Sequence, residues 1–453
     1  MSEAMPMDLP APAPAPARRA TPHMLAAGAA GNFLEWYDFA AYGFLASIFA
    51  KNFFPNSSPL IGLLSAFGIF AASFLMRPLG AVLFGHIGDR YGRQRALFIS
   101  AALMTVSTVA IGLLPTYAMV GTAAPVMLLV LRLAQGVSIG GEFTTSAVFL
   151  AENSAPRWRG LVSSFSTVGS NGGTLLGSGI GALTASFLTQ DQLVDWGWRI
   201  PFLLGVVLGA FALLVRKSMA QDAGTAEAGD EPPMVRAFRE DWRAILRANS
   251  MTFLVGVIFY LIFVYLTTYM QQVDHLSARV ALQMNTANMM VTLILCVVFA
   301  ALSDRIGRKW VLGAGFFGMI VFSWPLFRLL SSAVAEEVFL GQLGFAVLIA
   351  LGGGTMPGTL VEMFARRTRC SAVAISWNLG IGIGGGTAPI VAVFLQEQLN
   401  SPMAPALYLI VLAAIALAGL LTMEDRAGLP LDREQRDAPS RRDPRNPLGN
   451  SQT

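Results

Sequence analysis

The sequence predicts an all-α membrane protein with twelve transmembrane helices in two pseudo-symmetric six-helix bundles. Three observations carry this expectation: a composition poor in charge, twelve apolar runs of spanning length, and an internal repeat relating the first six runs to the last six. Of the 453 residues, 54% are hydrophobic and only 13% charged, with a mean hydropathy of +0.58. A soluble domain of this length carries about twice that charge, and needs it to cover its surface. The surplus apolar surface must face lipid.

A helix needs about 20 apolar residues to cross a bilayer. Runs of that kind occupy residues 24–50, 60–85, 96–115, 123–151, 160–189, 199–216, 248–272, 280–303, 310–330, 338–363, 372–396 and 402–423. Several exceed the minimum, so those helices should tilt. They divide the chain into a six-helix bundle over 24–216, a polar linker over 217–247, and a second bundle over 248–423, with tails at 1–23 and 424–453. The linker reads first as loop, then as a short amphipathic piece. The first tail is rich in Pro and Ala, and that proline spacing forbids a helix. Arg18 and Arg19 would suit an export signal. The apolar run behind them carries Glu35 and Asp38 and has no small-residue cleavage site, so 1–23 reads as a disordered tail.

Lysine and arginine orient the spans. Seventeen of them lie in alternate loops, including Arg90, Arg93, Arg157, Arg159, Arg305, Arg308 and Arg369, against four in the remaining loops and span ends. The positive-inside rule then places both termini in the cytoplasm. The sequence pI of about 9.3 reflects these short loops and not a basic domain, so no nucleic-acid partner is expected. Cys296 and Cys370 are far apart, and the three histidines are scattered. No disulfide framework or metal site is expected.

The repeat is visible at two places. Gly88-Asp89-Arg90-Tyr91-Gly92-Arg93 follows span two, and Ser303-Asp304-Arg305-Ile306-Gly307-Arg308 follows span eight, 215 residues later. After span four, Glu152 precedes Arg157 and Arg159; after span ten, Glu362 precedes Arg367 and Arg369, at an offset of 210. Short basic loops alone would need only the arginines. The acids oppose that topological pressure, and the glycines permit a tight turn.

These strings resemble the loop signature of the major facilitator superfamily: GHIGDRYGRQRAL at 85–97 and SDRIGRKWVL at 303–312. The chain is more narrowly similar to the metabolite:proton symporter family, which includes proline/betaine, 2-oxoglutarate, citrate and shikimate carriers. The stretches that carry this are GNFLEWYDFAAYGF (31–44), FLMRPLGAVLFG (74–85), LRLAQGVSIGGEF (131–143), AENSAPRWRG (151–160) and DWGWRIPF (195–202). The second half matches mainly in its loop signature and its glycine-rich span eleven. The resemblance implies a multi-pass bacterial inner-membrane protein that works as a monomer, with spans one and four lining a central cavity. The long coiled-coil tail of the osmosensing proline/betaine carrier has no counterpart in 424–453, which is broken by prolines.

Ionisable residues at membrane depth are functional by default. Span one carries Glu35 and Asp38, three apart and on one helical face, with Trp36 and Tyr37 off that face. Span four carries Arg132, Gln135 and Glu142 on one face, and span two carries Arg77. A desolvated carboxylate can take up a proton near neutral pH. Glu35, Asp38 and Glu142 are therefore the candidate proton-coupling acids. The opposing reading is that Glu35 or Asp38 pairs permanently with Arg132 or Arg77. A guanidinium forks onto a carboxylate, so Arg132, Gln135 and Arg77 are candidate substrate ligands. Tyr265 and Asn378 are the candidates from the second half, where most tyrosines read as an interfacial belt. Asp89, Arg90, Arg93, Glu152, Arg157, Arg159, Asp304, Arg305 and Arg308 form a candidate cytoplasmic gate, in which Asp89 meets Arg157 or Arg159 and Glu152 meets Arg90 or Arg93.

The glycines of spans five and eleven lie inside apolar runs, and no Gly-Lys-Ser/Thr follows them. No phosphate-cradling loop and no cofactor are expected, nor any enzyme activity. The expected function is proton-coupled uptake of a small polar metabolite, with an organic carboxylate favoured and a proline- or betaine-type zwitterion next. The alternatives are a proton-driven efflux antiporter and a membrane sensor of the same fold. Span five lacks the proline–glycine motif usual in such antiporters, and no appended signalling domain is present.

Overall fold

A computed structural model describes residues 21–80, 83, 84, 87, 93–139, 142–217, 233–332, 334–366 and 368–431. Residues 1–20 of the expected tail over 1–23, 218–232 of the expected linker and 432–453 of the second tail lie outside them, and the first helix starts inside the expected tail, at Pro22. The spans are helices α1 (Pro22–Phe44), α2 (Pro59–Leu75), α3 (Arg93–Leu113), α4 (Ala123–Ser138), α5 (Arg159–Phe187), α6 (Arg199–Lys217), α7 (Pro233–Tyr260), α8 (Ala278–Ile306), α9 (Arg308–Leu330), α10 (Ala335–Met363), α11 (Arg369–Trp377) and α12 (Ala404–Leu421). By length and apolarity, eight described helices qualify as spans, and a ninth if the bent pair Gln190–Gly197 and Arg199–Leu214 counts as one. Of the segments that fall short, α3 does so on length, its apolar part being Phe98–Leu113, and α5 is rich in glycine and serine.

Helix ends follow local chemistry. Thr21 and Ser58 each accept a backbone N–H of the first turn, with proline at the first helical position of α1 and α2. Between α8 and α9 the chain turns on Gly307, at φ +102. L-residues rarely adopt that backbone, and an added Cβ would fall about 2.4 Å from the Asp425 carboxylate.

Several spans are not single α-helices. The first breaks at Leu45 and resumes as Ala46–Phe53, the fourth breaks at Ile139 and resumes at Glu142–Glu152, and the sixth bends by 49° at its start. α7 continues through a π-helical turn, Leu261–Tyr265, to Gln272, and α11 through π-helical Asn378–Gly385 to Leu399. The amphipathic piece foreseen in the linker is the first part of α7.

The packing repeats at a six-helix offset. In the first half α1 packs on α5, α3 on α6, and α2 on α4; in the second α7 packs on α11, α9 on α12, and α8 on α10. Between halves, α5 packs on α8 and α10, while α11 packs on α2 and on the continuation of α4. Each cross-half contact thus has its image. This is the duplicated unit that the loop echoes announced. Val106, Leu113, Phe187, Phe211, Trp310 and Leu421 are exposed, as a lipid-facing surface requires.

Small residues set the closest approach. A Cβ on Gly173 of α5 would lie about 2.1 Å from the Phe33 carbonyl oxygen of α1, whereas one on Gly179 would meet only Thr286 Cγ2, at 3.9 Å. Gly173→Ala should therefore force α1 and α5 apart and cost about 1–3 kcal/mol of stability. Gly179→Ala should be tolerated. Thermal unfolding in detergent, followed by tryptophan fluorescence, checks the difference between the two.

Candidate functional site

α1 brings both of its acids to arginines. Glu35 Oε1 lies 3.6 Å from Arg77 Nη2, where the chain runs on from α2, and Asp38 Oδ2 lies 3.3 Å from Arg132 Nη1 of α4. The second pair is the more enclosed. Asp38 and Arg132 are fully buried, and Arg132 also donates to Gln135 Oε1 at 2.8 Å and to Ser73 Oγ at 3.4 Å. Its guanidinium stands 4.5 Å from the Phe39 ring centre and 4.3 Å from that of Tyr42. Gln135 in turn donates to Thr108 Oγ1 of α3 at 3.1 Å. Asp38 Oδ1 is buried with no hydrogen-bond partner. Removing the charge of Asp38 would leave the Arg132 guanidinium buried without a counter-charge, held by its hydrogen bonds to Gln135 and Ser73.

Above these pairs the two halves meet through aromatic rings. Trp36 of α1 stacks on Tyr260 of α7, with ring centres 6.2 Å apart at 21°, and meets the edge of Phe259 at 6.0 Å. Tyr260 also packs edge-on to Phe74 at 5.3 Å, and Arg77 sits 4.2 Å over the Phe74 ring. A second cross-half stack joins Phe143 and Trp377 at 3.8 Å. Tyr260 and Tyr269, expected in an interfacial belt, are buried, as is the candidate ligand Tyr265. The Tyr265 hydroxyl donates to Gln396. Asn378 is half-buried at the head of the π-helical part of α11.

A polar network supports this region from the second half. The π turn in α7 leaves the Ile262 carbonyl to accept from Gln342 Nε2 of α10 at 3.1 Å. Gln342 also donates to Asn285 and accepts from Asn288, both on α8, at 2.9 Å each. Asn285 reaches across to Ser178 Oγ of α5 at 3.1 Å.

At the end of the bundle that carries the signature loops, ion pairs cross between halves in a reciprocal pattern. Arg159 of the first half donates to Glu362 of the second at 3.1 Å, and Arg369 of the second donates to Glu152 of the first at 2.5 Å. The 210-residue echo relates each pair to the other. Asp304 caps α5 across the interface, its two oxygens accepting the backbone N–H groups of Gly160 and Leu161 at 2.8 Å each. Arg308 joins Asp304 at 2.7 Å and Glu362 at 3.1 Å. The segment after α12 lies across the same junction: Leu429 O accepts from Arg159 at 2.9 Å and Leu431 O from Arg369 at 3.2 Å.

Glu35, Asp38, Arg77, Arg132 and Gln135 are thus brought together, and so are Glu152, Arg159, Asp304 and Arg308. Glu152 meets Arg369 of the other half; its expected partners Arg90 and Arg93 have no described side chains. Arg157 is exposed beside Trp158, and Arg305 is exposed. Asp89 and Arg90 lie outside the described residues, as do the side chains of Arg93 and Glu142. Residue-type reasoning missed Trp36, Tyr260, Glu362 and Arg369; the repeat pointed to the last two.

Removing one partner from a buried pair strands the other charge and costs about 3–5 kcal/mol, against about 0–1 kcal/mol for an exposed pair. The Glu362 side chain is 4% exposed and that of Glu152 is 40% exposed. Glu362→Gln should therefore open this end of the bundle much more than Glu152→Gln. The readout is the labelling rate of a cysteine placed at Thr359, beside Glu362, with both native cysteines replaced by serine.

Comparison with known proteins bears on the whole chain. A family model described as Major Facilitator Superfamily matches residues 28–334, and one described as Sugar (and other) transporter matches 234–437. A proline/betaine transporter of Salmonella typhimurium is 35% identical over 422 residues, covering 90% of this chain and 84% of that protein. A glycine betaine/proline/ectoine/pipecolic acid transporter of Dickeya dadantii is 36% identical over 421 residues, again covering 90% and 84%. Among solved structures, a proton:xylose symporter bound to 6-bromo-6-deoxy-D-glucose superposes with a TM-score of 0.74 at 16% identity, over 91% of this chain and 98% of that one.

Proposed function

The chain belongs to the major facilitator superfamily, and from that premise we propose that it takes up a small zwitterion of the proline and betaine type together with a proton, by alternating access. It is a multi-pass membrane transporter of small solutes and not an enzyme. The proposed topology puts the signature loops and both termini in the cytoplasm, as the loop arginines require. The charged cluster where halves meet is then a cytoplasmic gate.

The observation that carries the reading is the buried Asp38–Arg132 pair beside the Glu35–Arg77 pair. A charge at membrane depth costs roughly 2.5–3.5 kcal/mol on insertion scales, so four charges are held there only as two matched pairs. The preference for an organic carboxylate rested on Arg77 and Arg132, and it lapses because each arginine already has an acid. A dicarboxylate would bring two negative charges to a site whose formal charge is zero. A zwitterion brings none, and both relatives described above are named for zwitterions.

Asp38 is the acid assigned to proton coupling. Its Oδ1 is buried without a partner, which is where a proton would add. Protonation ends the attraction to Arg132 and so changes how α1 sits on α4. A bound proton then biases the same conformational equilibrium that the solute does, which is what coupling requires. Glu35, paired more loosely, is left to the solute.

Asp38→Asn should abolish proline or betaine accumulation driven by an imposed pH gradient in proteoliposomes. Exchange of preloaded solute should continue, because exchange needs no net proton movement. Uphill accumulation by Asp38→Asn at the wild-type level would refute the assignment.

A further inference from the structure

Both pairs of α1 lie within the first half, so what reaches across to the second half beside them is aromatic. Four features coincide there. Trp36 and Tyr260 present ring faces to each other from opposite halves, while Phe74 and Phe259 meet them edge-on. Glu35 and Arg77 adjoin the rings, with Arg77 over Phe74. The Tyr260 hydroxyl lies within electrostatic reach of both charges. Finally, Trp36 Nε1 and Arg77 Nε are buried with no hydrogen-bond partner, and the Tyr260 hydroxyl faces only the Arg77 guanidinium. A buried donor left unmade costs about 1–3 kcal/mol, and two beside that hydroxyl mark a site built for an acceptor that arrives from outside.

We propose that Trp36 and Tyr260 form a clamp for a methylated ammonium group, with Arg77 and the two ring donors taking the carboxylate of the same solute, so that the transporter prefers N-methylated zwitterions to proline. This rests on the zwitterion reading above and narrows it. A quaternary ammonium has no N–H to satisfy and loses little by leaving water for ring faces. It is held by the ring quadrupole when it sits within about 6 Å of the ring centres. A secondary ammonium such as that of proline needs acceptors for two N–H groups, and the rings supply none. Glu35 is the charge complement. When the solute enters, the onium group turns toward Glu35 and the rings, and the carboxylate turns toward Arg77. One ion pair becomes two, with no change in formal charge at the site.

The clamp also explains why recognition and movement are joined. Its two faces belong to different halves and cover each other. An onium group between them links α1 to α7 and is released when rocking of the halves draws the rings apart. Phe143 and Trp377 make a second cross-half stack, but no acid or arginine adjoins their rings in the contacts described, so they are not assigned to the solute.

The test is a methylation series: glycine, sarcosine, dimethylglycine and glycine betaine, each competing with labelled proline for uptake into proteoliposomes holding the full-length protein. In the wild type, affinity should rise with each methyl group, and glycine betaine should bind more tightly than proline. Each ring face contributes roughly a twofold to thirtyfold effect. Trp36→Leu and Tyr260→Leu should flatten the series, while Tyr260→Phe, which keeps the face, should preserve its slope and weaken all members alike through loss of the hydroxyl. The wild-type series needs no variant to fold. Equal affinity for glycine and glycine betaine in the wild type overturns the clamp, and so does an unchanged slope in both leucine variants, with the zwitterion reading intact. Failure of every zwitterion to compete or accumulate under a proton gradient overturns that reading and the clamp with it.

Discussion

A carboxylate or guanidinium carried to membrane depth must find its opposite, because the surroundings offer no water to screen it. The pairing of Asp38 with Arg132 is the point at which this constraint shapes the molecule most. It holds α1 to α4, draws in Gln135, Ser73 and Thr108, and fixes the guanidinium between Phe39 and Tyr42. A buried pair of this kind contributes little net stability, since desolvation offsets most of the attraction. Its significance is that one proton changes the balance.

The charges fall into two sets with different work. Glu35, Asp38, Arg77 and Arg132 all belong to the first half, so relative rocking of the halves leaves their pairings in place. Arg159, Glu362, Arg369, Glu152 and Asp304 pair between halves, so the same motion must break them. In the proposed mechanism the first set reads proton and solute, and the second holds one conformation. Trp36 joins them physically, since it lies beside Glu35 in sequence and stacks on a ring of the other half. The segment after α12 adds the carbonyl acceptors of Leu429 and Leu431 to Arg159 and Arg369, so it is part of the same junction.

Much of this was legible in the sequence, for identifiable reasons. Apolar run length gave the spans, and the two loop echoes gave the repeat that the packing shows helix by helix. The three-residue spacing of Glu35 and Asp38 put them on one face, and both are found paired. The breaks were not legible. The π-helical part of α11 packs on α7, and the π turn of α7 offers Ile262 O to Gln342; no local signal in Leu261–Tyr265 marks a turn of that kind. Trp36 was set aside because it lies off the acid face; helical periodicity gives a residue's face but not what stands opposite. The tyrosines of α7 were misplaced for a related reason, since amphipathic rings suit both a membrane interface and a bundle interior. Glu152 was assigned partners in its own half, because sequence proximity suggests neighbours; the two-fold relation adds Arg369 of the other half.

The account's central claim is that solute and proton enter together. The most direct measurement is external pH in a lightly buffered suspension of proteoliposomes, with no gradient imposed, on addition of glycine betaine or proline. The account predicts alkalinisation outside that keeps pace with solute entry and is absent from protein-free vesicles. Solute entry at the same rate with no change in external pH would contradict it.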